Sequence, residues 1–177
     1  PEDIQRIKEE NPGIAVMCYV NSSAAVKAVC DVCCTSSSAL RIAKELPNQK
    51  VLFVPDKNLG SYVAEKVPDK QFVLHTGYCP THNRVTEEDV LKAKKAHPGA
   101  VFAVHPECKK EVLKHADFIG STSEIIEFAK ATDAKEVLIG TESGVLDRIA
   151  RALPDKKIYP VMEAFLCSNM KKVGLQE

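Results

Sequence analysis

The chain of 177 residues is 45% hydrophobic and 27% charged, which is ordinary for a globular protein and argues against the disordered and disulfide-scaffold classes. Its 24 basic and 24 acidic residues cancel, and no apolar run approaches the roughly 20 residues that span a bilayer, so we expect a small-molecule partner, no nucleic acid and no membrane. Seven cysteines, an odd number, are typical of a reducing compartment, and we expect a cytoplasmic protein.

An internal repeat organises the chain. Pro12-Gly13 corresponds to Pro98-Gly99, and Pro68-Asp69-Lys70 corresponds to Pro154-Asp155-Lys156, at a constant offset of 86 residues. In chain order, the first copy has predicted strands at 14–20, from 31, at 51–54 and at 72–75. The second copy has them at 100–104, from 117, at 137–140 and at 158–161. Helical patterns fill the intervals, beginning with 23–29 and 108–115.

Strands that alternate with short helices predict parallel sheets covered by helices on both faces. The expected fold class is therefore α/β, with tandem three-layer α/β/α domains and parallel four-stranded sheets. We expect one domain at 10–83 and a second at 97–163. An entry segment at 1–9, a connecting helix or linker at 84–96 and a closing segment at 164–177 surround them.

The first candidates for a site follow the first strand of each copy, because ligands of open α/β sheets bind beyond the carboxyl ends of the strands. These residues are Tyr19-Val20-Asn21 and His105-Pro106-Glu107.

The second strand of each copy leads into hydroxyl residues, Thr35-Ser36 and Ser121-Thr122. At a helix N-terminus such residues favour a carboxylate or a phosphate. Ser36 follows Tyr19 at the same interval at which Thr122 follows His105. Each residue alone also fits a plain helix cap or a packed strand end, but their joint recurrence favours a small dianionic substrate.

The cysteines fall into three groups. Cys108 opens a predicted helix, where a lowered pKa would give a reactive thiol. Cys79 and Cys167 each follow the last strand of a copy, and thiols at equivalent strand ends suit a metal that is held by distant cysteines. The remaining four are expected to pack in the core as small hydrophobes: Cys18, Cys30, Cys33 and Cys34.

Motifs along nearly the whole chain resemble the quinolinate synthase family, the A protein of NAD biosynthesis. They are Tyr19-Val20-Asn21-Ser22-Ser23-Ala24, Thr35-Ser36-Ser37, Pro55-Asp56-Lys57-Asn58-Leu59-Gly60, Gly77-Tyr78-Cys79, His105-Pro106-Glu107-Cys108, Ala116-Asp117-Phe118-Ile119-Gly120-Ser121-Thr122-Ser123, and Cys167 with Met170-Lys171. The resemblance implies three similar α/β/α domains around a pseudo-threefold axis, of which this chain carries the second and the third.

The resemblance also implies an activity. The family is a transferase that condenses iminoaspartate (iminosuccinate) with dihydroxyacetone phosphate to quinolinate, phosphate and water. An aspartate-oxidising enzyme that supplies iminoaspartate is an expected partner. By the resemblance, Tyr19, His105 and Glu107 are catalytic. The substrate-binding residues would be Tyr19, Val20, Asn21, Ser36, His105, Pro106, Glu107 and Thr122.

The cofactor implied by the resemblance is a [4Fe–4S] cluster held by three cysteines, with an open iron that acts as a Lewis acid. Cys79 and Cys167 would be two of the ligands, and the third is expected before Pro1. The chain opens on Pro1 without Met, so we expect a piece of a longer protein, and by the resemblance this piece lacks the first domain. By itself the fragment is expected neither to hold a stable cluster nor to make quinolinate.

Two other hypotheses stay open on the residues alone. One is a two-domain module that binds an anionic metabolite without catalysis. The other is a thiol-dependent or phosphosugar-processing enzyme with Cys108 as nucleophile and His105 as base.

Overall fold

A computed structural model describes residues 1–163 and 165–172 of the chain. Ala164 and residues 173–177 of the predicted closing segment lie outside the described residues. The chain divides into two compact units, Pro1–Cys79 (unit 1) and Pro80–Glu177 (unit 2). The domain boundaries predicted from the sequence stay predictions.

Unit 1 contains one parallel four-stranded sheet in the order β2-β1-β3-β4. Each strand is preceded by a helix that covers a face of the sheet. The elements are α1 (Glu2–Glu10), β1 (Ala15–Tyr19), α2 (Ala24–Lys27), β2 (Val32–Cys34), α3 (Ala39–Glu45), β3 (Lys50–Val54), α4 (Lys57–Lys66) and β4 (Gln71–Leu74).

Unit 2 has the same topology, with the strand order β6-β5-β7-β8. The elements are α5 (Pro80–Asn83), α6 (Glu87–Ala96), β5 (Val101–Val104), α7 (Lys110–Leu113), β6 (Phe118–Ile119), α8 (Thr122–Ala131), β7 (Glu136–Gly140), α9 (Ser143–Ala152) and β8 (Lys157–Pro160). The predicted α/β class and the two parallel four-stranded sheets are therefore confirmed.

Alternation along β1 explains why unit 1 has three layers. Successive side chains of a strand point to opposite faces of the sheet. Val16 and Cys18 pack in a cluster with Ile4 of α1, whereas Met17 and Tyr19 pack in a cluster that includes residues of α3 and α4. All five residues of the strand are buried, as expected for a parallel strand covered on both faces.

Equivalent hydrogen bonds and ion pairs occur in the two units and reflect the internal repeat. In unit 1, Asp31 accepts the backbone N–H of Val16 at 2.7 Å and pairs with Lys8. In unit 2, Asp117 accepts the backbone N–H of Phe102 at 2.8 Å and pairs with Lys94. Because Lys8 lies in α1 and Lys94 in α6, these two helices occupy equivalent places in the repeat.

Two local predictions are wrong. Ser36 and Thr122 do not cap helices: α3 begins later, after Ser38, and Ser121 is the residue that caps α8. In the first copy, the hydroxyls of Thr35, Ser37 and Ser38 bond to one another and form a turn before the helix. Local side-chain bonds of this kind compete with helix formation, which explains the later start.

The second correction concerns the cysteines. Cys18 and Cys34 are buried and Cys30 is half-buried, but Cys33 is exposed and is not a core residue. Burial raises the pKa of the Cys34 thiol to about 12, with further increases from the neighbouring thiols of Cys18 and Cys33.

None of the helices in residues 1–163 and 165–172 combines the length and the apolar character needed to cross a membrane.

Candidate functional site

Unit 2 gathers four polar side chains in a buried group that we call the Glu107 cluster: His82, His105, Glu107 and Thr141. His105 and Glu107 follow β5, and Thr141 follows β7. The strands β5 and β7 are neighbours, and the chain leaves β5 toward β6 and β7 toward β8, in opposite directions, which is where open α/β sheets bind ligands. All four side chains are buried.

Glu107 lies between the two histidines. Its Oε2 is 3.2 Å from Nδ1 of His82 and 3.3 Å from Nδ1 of His105. The two rings stack with their centroids 4.9 Å apart. His82 Nε2 lies 3.0 Å from the Thr141 hydroxyl, and the edge of Phe165 packs against the ring of His82. The cluster thus joins three segments of unit 2 around one carboxyl group.

Both histidines are neutral at pH 7. Burial lowers the pKa of His82 to about 4, against an opposing increase from the charge of Glu142. Burial lowers the pKa of His105 to about 3, and the neighbouring His82 lowers it further. Their contacts with Glu107 are therefore hydrogen bonds from neutral rings rather than pairs with imidazolium ions.

The tautomers decide which nitrogens remain basic. If His82 donates from Nδ1 to Glu107, its Nε2 accepts the hydroxyl proton of Thr141. Nδ1 of His105 lies 3.3 Å from Oε2 and also 3.3 Å from the backbone nitrogen of Glu107, so it donates to the first or accepts from the second according to its tautomer. In the donating form, Nε2 of His105 is unprotonated and able to accept a proton.

Lowering the pH from 7 to 5 is expected to destabilise the protein through these rings. In the unfolded chain both imidazoles bind protons below their ordinary pKa of 6.5. In the folded chain they stay neutral until about pH 4 at His82 and about pH 3 at His105, because burial lowers their pKa. The free energy of unfolding should fall by about 1.4 kcal/mol per pH unit for each ring in this window and be independent of these rings above it. Urea unfolding followed by circular dichroism measures the slope.

His82→Gln should remove one ring's share of this slope. Phe128→Leu is the control, because it removes packing from the core of unit 2 without removing a titratable group, and it should lower stability equally at both pH values. A wild-type slope in His82→Gln would show that His82 is not buried in its neutral form.

In each unit, the predicted pair of site residues lies at or beyond the carboxyl ends of two neighbouring strands; the pairs are Tyr19 with Ser36 and His105 with Thr122. In unit 1, Tyr19 at the end of β1 is paired in register with Cys34 of β2, two residues before Ser36. In unit 2, the N–H of Gly120 bonds to the carbonyl of Val104; His105 directly follows β5, and Thr122 comes three residues after the end of the adjacent strand β6.

The predicted substrate residues differ in exposure. Tyr19, His105, Pro106 and Glu107 are buried, Ser36 is half-buried, and Val20, Asn21 and Thr122 are exposed. Ser121 forms a capping box with Glu124, so its hydroxyl is used by the helix. Thr122 follows as the first residue of α8.

Cys79 and Cys167 are half-buried, and each lies just beyond the last strand of its unit. Cysteine thiolates are the ordinary ligands of iron–sulfur clusters, so the chemistry of these donors fits the expected cofactor. That these two cysteines bind the cluster, as the resemblance implies, stays a prediction.

Cys108 does not have the environment of a nucleophile. Its side chain is fully buried, and Sγ lies 3.8 Å from the carbonyl oxygen of Gly140, to which it donates. Structural thiols of this kind are inert because reagents and substrates do not reach them. The hypothesis of a Cys108 nucleophile therefore has no support from the structure.

Sequence reasoning missed His82, Thr141, Asp56 and Glu142. His82 and Thr141 complete the Glu107 cluster, whereas Asp56 and Glu142 are buried caps of α4 and α9. The repeat contains a signal for the last two, since position 56 aligns with position 142 and both lie two residues after the ends of equivalent strands. For His82 the sequence offers no such signal, because its contacts come from residues far along the chain.

The comparison with protein families gives one result for the whole chain. The model of the family NadA, described as quinolinate synthetase A protein, matches residues 1–177.

Curated relatives agree with this match. The chain is 51% identical over 175 residues to a quinolinate synthase of Caldicellulosiruptor saccharolyticus, 49% identical over 174 residues to one of Alkaliphilus metalliredigens, and 49% identical over 176 residues to one of Methanosarcina barkeri. These alignments cover 98–99% of the chain. The chain spans 57–58% of the length of these relatives.

Proposed function

The chain belongs to the quinolinate synthetase A protein family, and from this premise we propose that the full-length protein is a quinolinate synthase. It would act in de novo NAD biosynthesis, condensing iminoaspartate with dihydroxyacetone phosphate to quinolinate, phosphate and water. The observation that carries the proposal is the match of the family along all 177 residues. The buried Glu107 cluster at the sheet end supports it, because the reaction needs groups that move protons away from bulk water.

Proton transfer is the role proposed for Tyr19, His105 and Glu107. Dehydration and ring closure require protons to be removed from carbon and nitrogen and delivered to departing oxygen. A carboxylate that contacts two neutral imidazoles is suited to this, because each ring offers one donor and one acceptor nitrogen. His82 would keep Glu107 oriented through its bonds to Glu107 and Thr141.

Substrate binding is the role proposed for the residues that follow the first two strands of each unit. The hydroxyls of Ser36 and Thr122 and the amide of Asn21 would bind carboxylate or phosphate oxygens, with Val20 and Pro106 contributing backbone between the polar side chains. Thr122 is exposed in the first turn of α8, where the helix dipole favours an anion.

Cys79 and Cys167 are proposed as two of three ligands of a [4Fe–4S] cluster, with the third ligand outside these 177 residues. When bound, the cluster would supply an open iron that acts as a Lewis acid toward substrate. We also propose a cytoplasmic location and delivery of iminoaspartate by an aspartate-oxidising enzyme.

Product formation tests the proposed function. The full-length protein, purified without oxygen, should convert iminoaspartate and dihydroxyacetone phosphate into quinolinate and release inorganic phosphate. Chromatography with mass detection measures quinolinate, and omission of either substrate is the control. A protein that binds these anions without forming quinolinate would instead be the binding module that the sequence leaves open.

A further inference from the structure

Two acidic residues occupy equivalent positions at the starts of α4 and α9. Asp56 follows β3 and caps α4, and Glu142 follows β7 and caps α9. They are 2% and 3% exposed, which is unusual for carboxylates at helix caps and means that their oxygens bond within the protein.

Asp56 bonds to two separate segments of unit 1. Its Oδ1 accepts the backbone N–H of Leu59 at 2.8 Å, which is the ordinary bond of an N-cap. Its Oδ2 accepts the backbone N–H of Cys79 at 2.6 Å, 23 residues away. One carboxylate therefore joins the start of α4 to the residue predicted to bind the cluster.

Glu142 repeats this arrangement in unit 2. Its Oε2 accepts the backbone N–H of Gly144 at 2.7 Å. Burial raises the pKa of Glu142, but hydrogen bonds from the backbone N–H groups of Gly144 and Cys167 and from Lys171 lower it overall. A Cβ at position 144 would lie 2.8 Å from Oε2 of Glu142, so the bond to this N–H depends on glycine. Lys171, four residues after Cys167, lies 3.4 Å from the same carboxylate.

A backbone–backbone hydrogen bond also holds the chain just before each of the two cysteines, Cys79 and Cys167. The N–H of Lys57 donates to the carbonyl of Gly77 at 2.8 Å, and the N–H of Ser143 donates to the carbonyl of Phe165 at 2.9 Å. In both units the N–H of the residue after the acidic cap donates to the carbonyl of the residue two positions before the cysteine. The recurrence of both bonds at two sites argues against a chance contact.

We propose that Asp56 and Glu142 are positioning residues that hold the backbones of Cys79 and Cys167 so that their thiolates meet the metal. This inference rests on the proposed function for the identity of the metal group. Hydrogen bonds at the cysteine N–H and at the carbonyl two residues earlier restrict the backbone, and with it the positions that the thiol can take. Less conformational freedom is therefore lost when the cysteine binds the metal group. Neither carboxylate need contact the metal.

The test uses Asp56→Asn and Glu142→Gln in the full-length protein. An amide keeps the size of the side chain and one acceptor oxygen, and asparagine is itself a good helix cap. In Asp56→Asn, whichever way the amide is oriented, the N–H of Leu59 or of Cys79 faces an NH2 group instead of an oxygen, because the two donate to different oxygens. Glu142→Gln removes the negative charge that the backbone N–H groups and Lys171 face. Asp117→Asn is the matched control, since Asp117 also accepts a backbone N–H but lies away from both cysteines in the sequence and bonds to Phe102.

The first measurement is the alkylation rate of each thiol in cluster-free protein, followed by mass spectrometry. Asp56→Asn should raise the rate at Cys79 at least threefold and leave Cys167 unchanged, and Glu142→Gln should do the reverse. Asp117→Asn should change neither rate. An unchanged rate at Cys79 in Asp56→Asn and at Cys167 in Glu142→Gln would overturn the inference. Equal increases at both cysteines in each variant would also overturn it, because general loosening of the fold has no preference for one thiol.

The second measurement is the rate of iron release to a chelator from cluster-loaded protein. Each variant should release iron at least fivefold faster than wild type, whereas Asp117→Asn should match wild type. Rates within twofold of wild type in both variants would overturn the positioning role while leaving the proposed function intact. A wild-type protein that binds no cluster would overturn the proposed function and with it any role toward the cluster.

Discussion

Glu107→Gln is expected to lower the rate of quinolinate formation by about 100-fold or more, which is the usual contribution of a positioned acid or base. The amide has nearly the shape of the carboxyl group, so the packing around the buried side chain should survive. It cannot take up or release a proton at neutral pH, but its amide oxygen can take the place of Oε2, the one oxygen that contacts both histidines. The change should appear mainly in kcat.

The assay compares steady-state rates of full-length proteins with equal iron content. Glu111→Gln is the control: this glutamate lies four residues further on, pairs with Lys109 and is half exposed, and its variant should retain the wild-type rate. A Glu107→Gln enzyme within fivefold of wild type would remove Glu107 from the proton-transfer machinery.

The effect at Glu107 should be separable from an effect on folding. Because the two histidines are neutral, an uncharged glutamine faces no unpaired imidazolium ion. A circular dichroism spectrum and a thermal midpoint close to those of wild type would therefore accompany the loss of turnover.

The sequence is most informative where side-chain periodicity and burial act together. β1 and β3 are continuous apolar runs, as parallel strands covered on both faces must be, and their positions follow from hydrophobicity alone. Tyr19, His105 and Glu107 could be identified as candidates because the carboxyl ends of such strands are the usual ligand edge. The repeat adds to this, since it places both sets of residues at the same point of the fold.

The sequence is less informative where one side chain has several bonding choices. Thr35 and the serines after it fit a helix cap, but their hydroxyls bond to one another and the helix starts later. Cys33 lies in an apolar stretch, yet alternation in a short edge strand turns it outward. Such outcomes depend on neighbours that only the folded chain provides.

Residues that act over long sequence separations were missed for the same reason. His82 reaches Thr141 across 59 residues, and Asp56 reaches Cys79 across 23. Read locally, His82 is one residue of a short polar segment and Asp56 is an ordinary helix cap. Their second contacts become visible only when the strands bring both segments to the same edge of a sheet.

We expect the loss of either proposed cluster ligand, Cys79 or Cys167, to have a large effect. A serine hydroxyl is a poor substitute for a thiolate at iron, because these clusters are held by cysteine. Cys79→Ser and Cys167→Ser should each lose most of the bound iron and sulfide, and quinolinate formation with it. Cys33→Ser is the control, since this thiol is exposed and belongs to no predicted ligand set.

The most direct measurement is therefore iron and acid-labile sulfide per polypeptide in full-length protein purified without oxygen, for wild type and these three variants. We expect about four of each in wild type and in Cys33→Ser, as in a [4Fe–4S] cluster, and far less than half of that in Cys79→Ser and in Cys167→Ser. Wild-type iron and sulfide in both ligand variants would contradict this expectation.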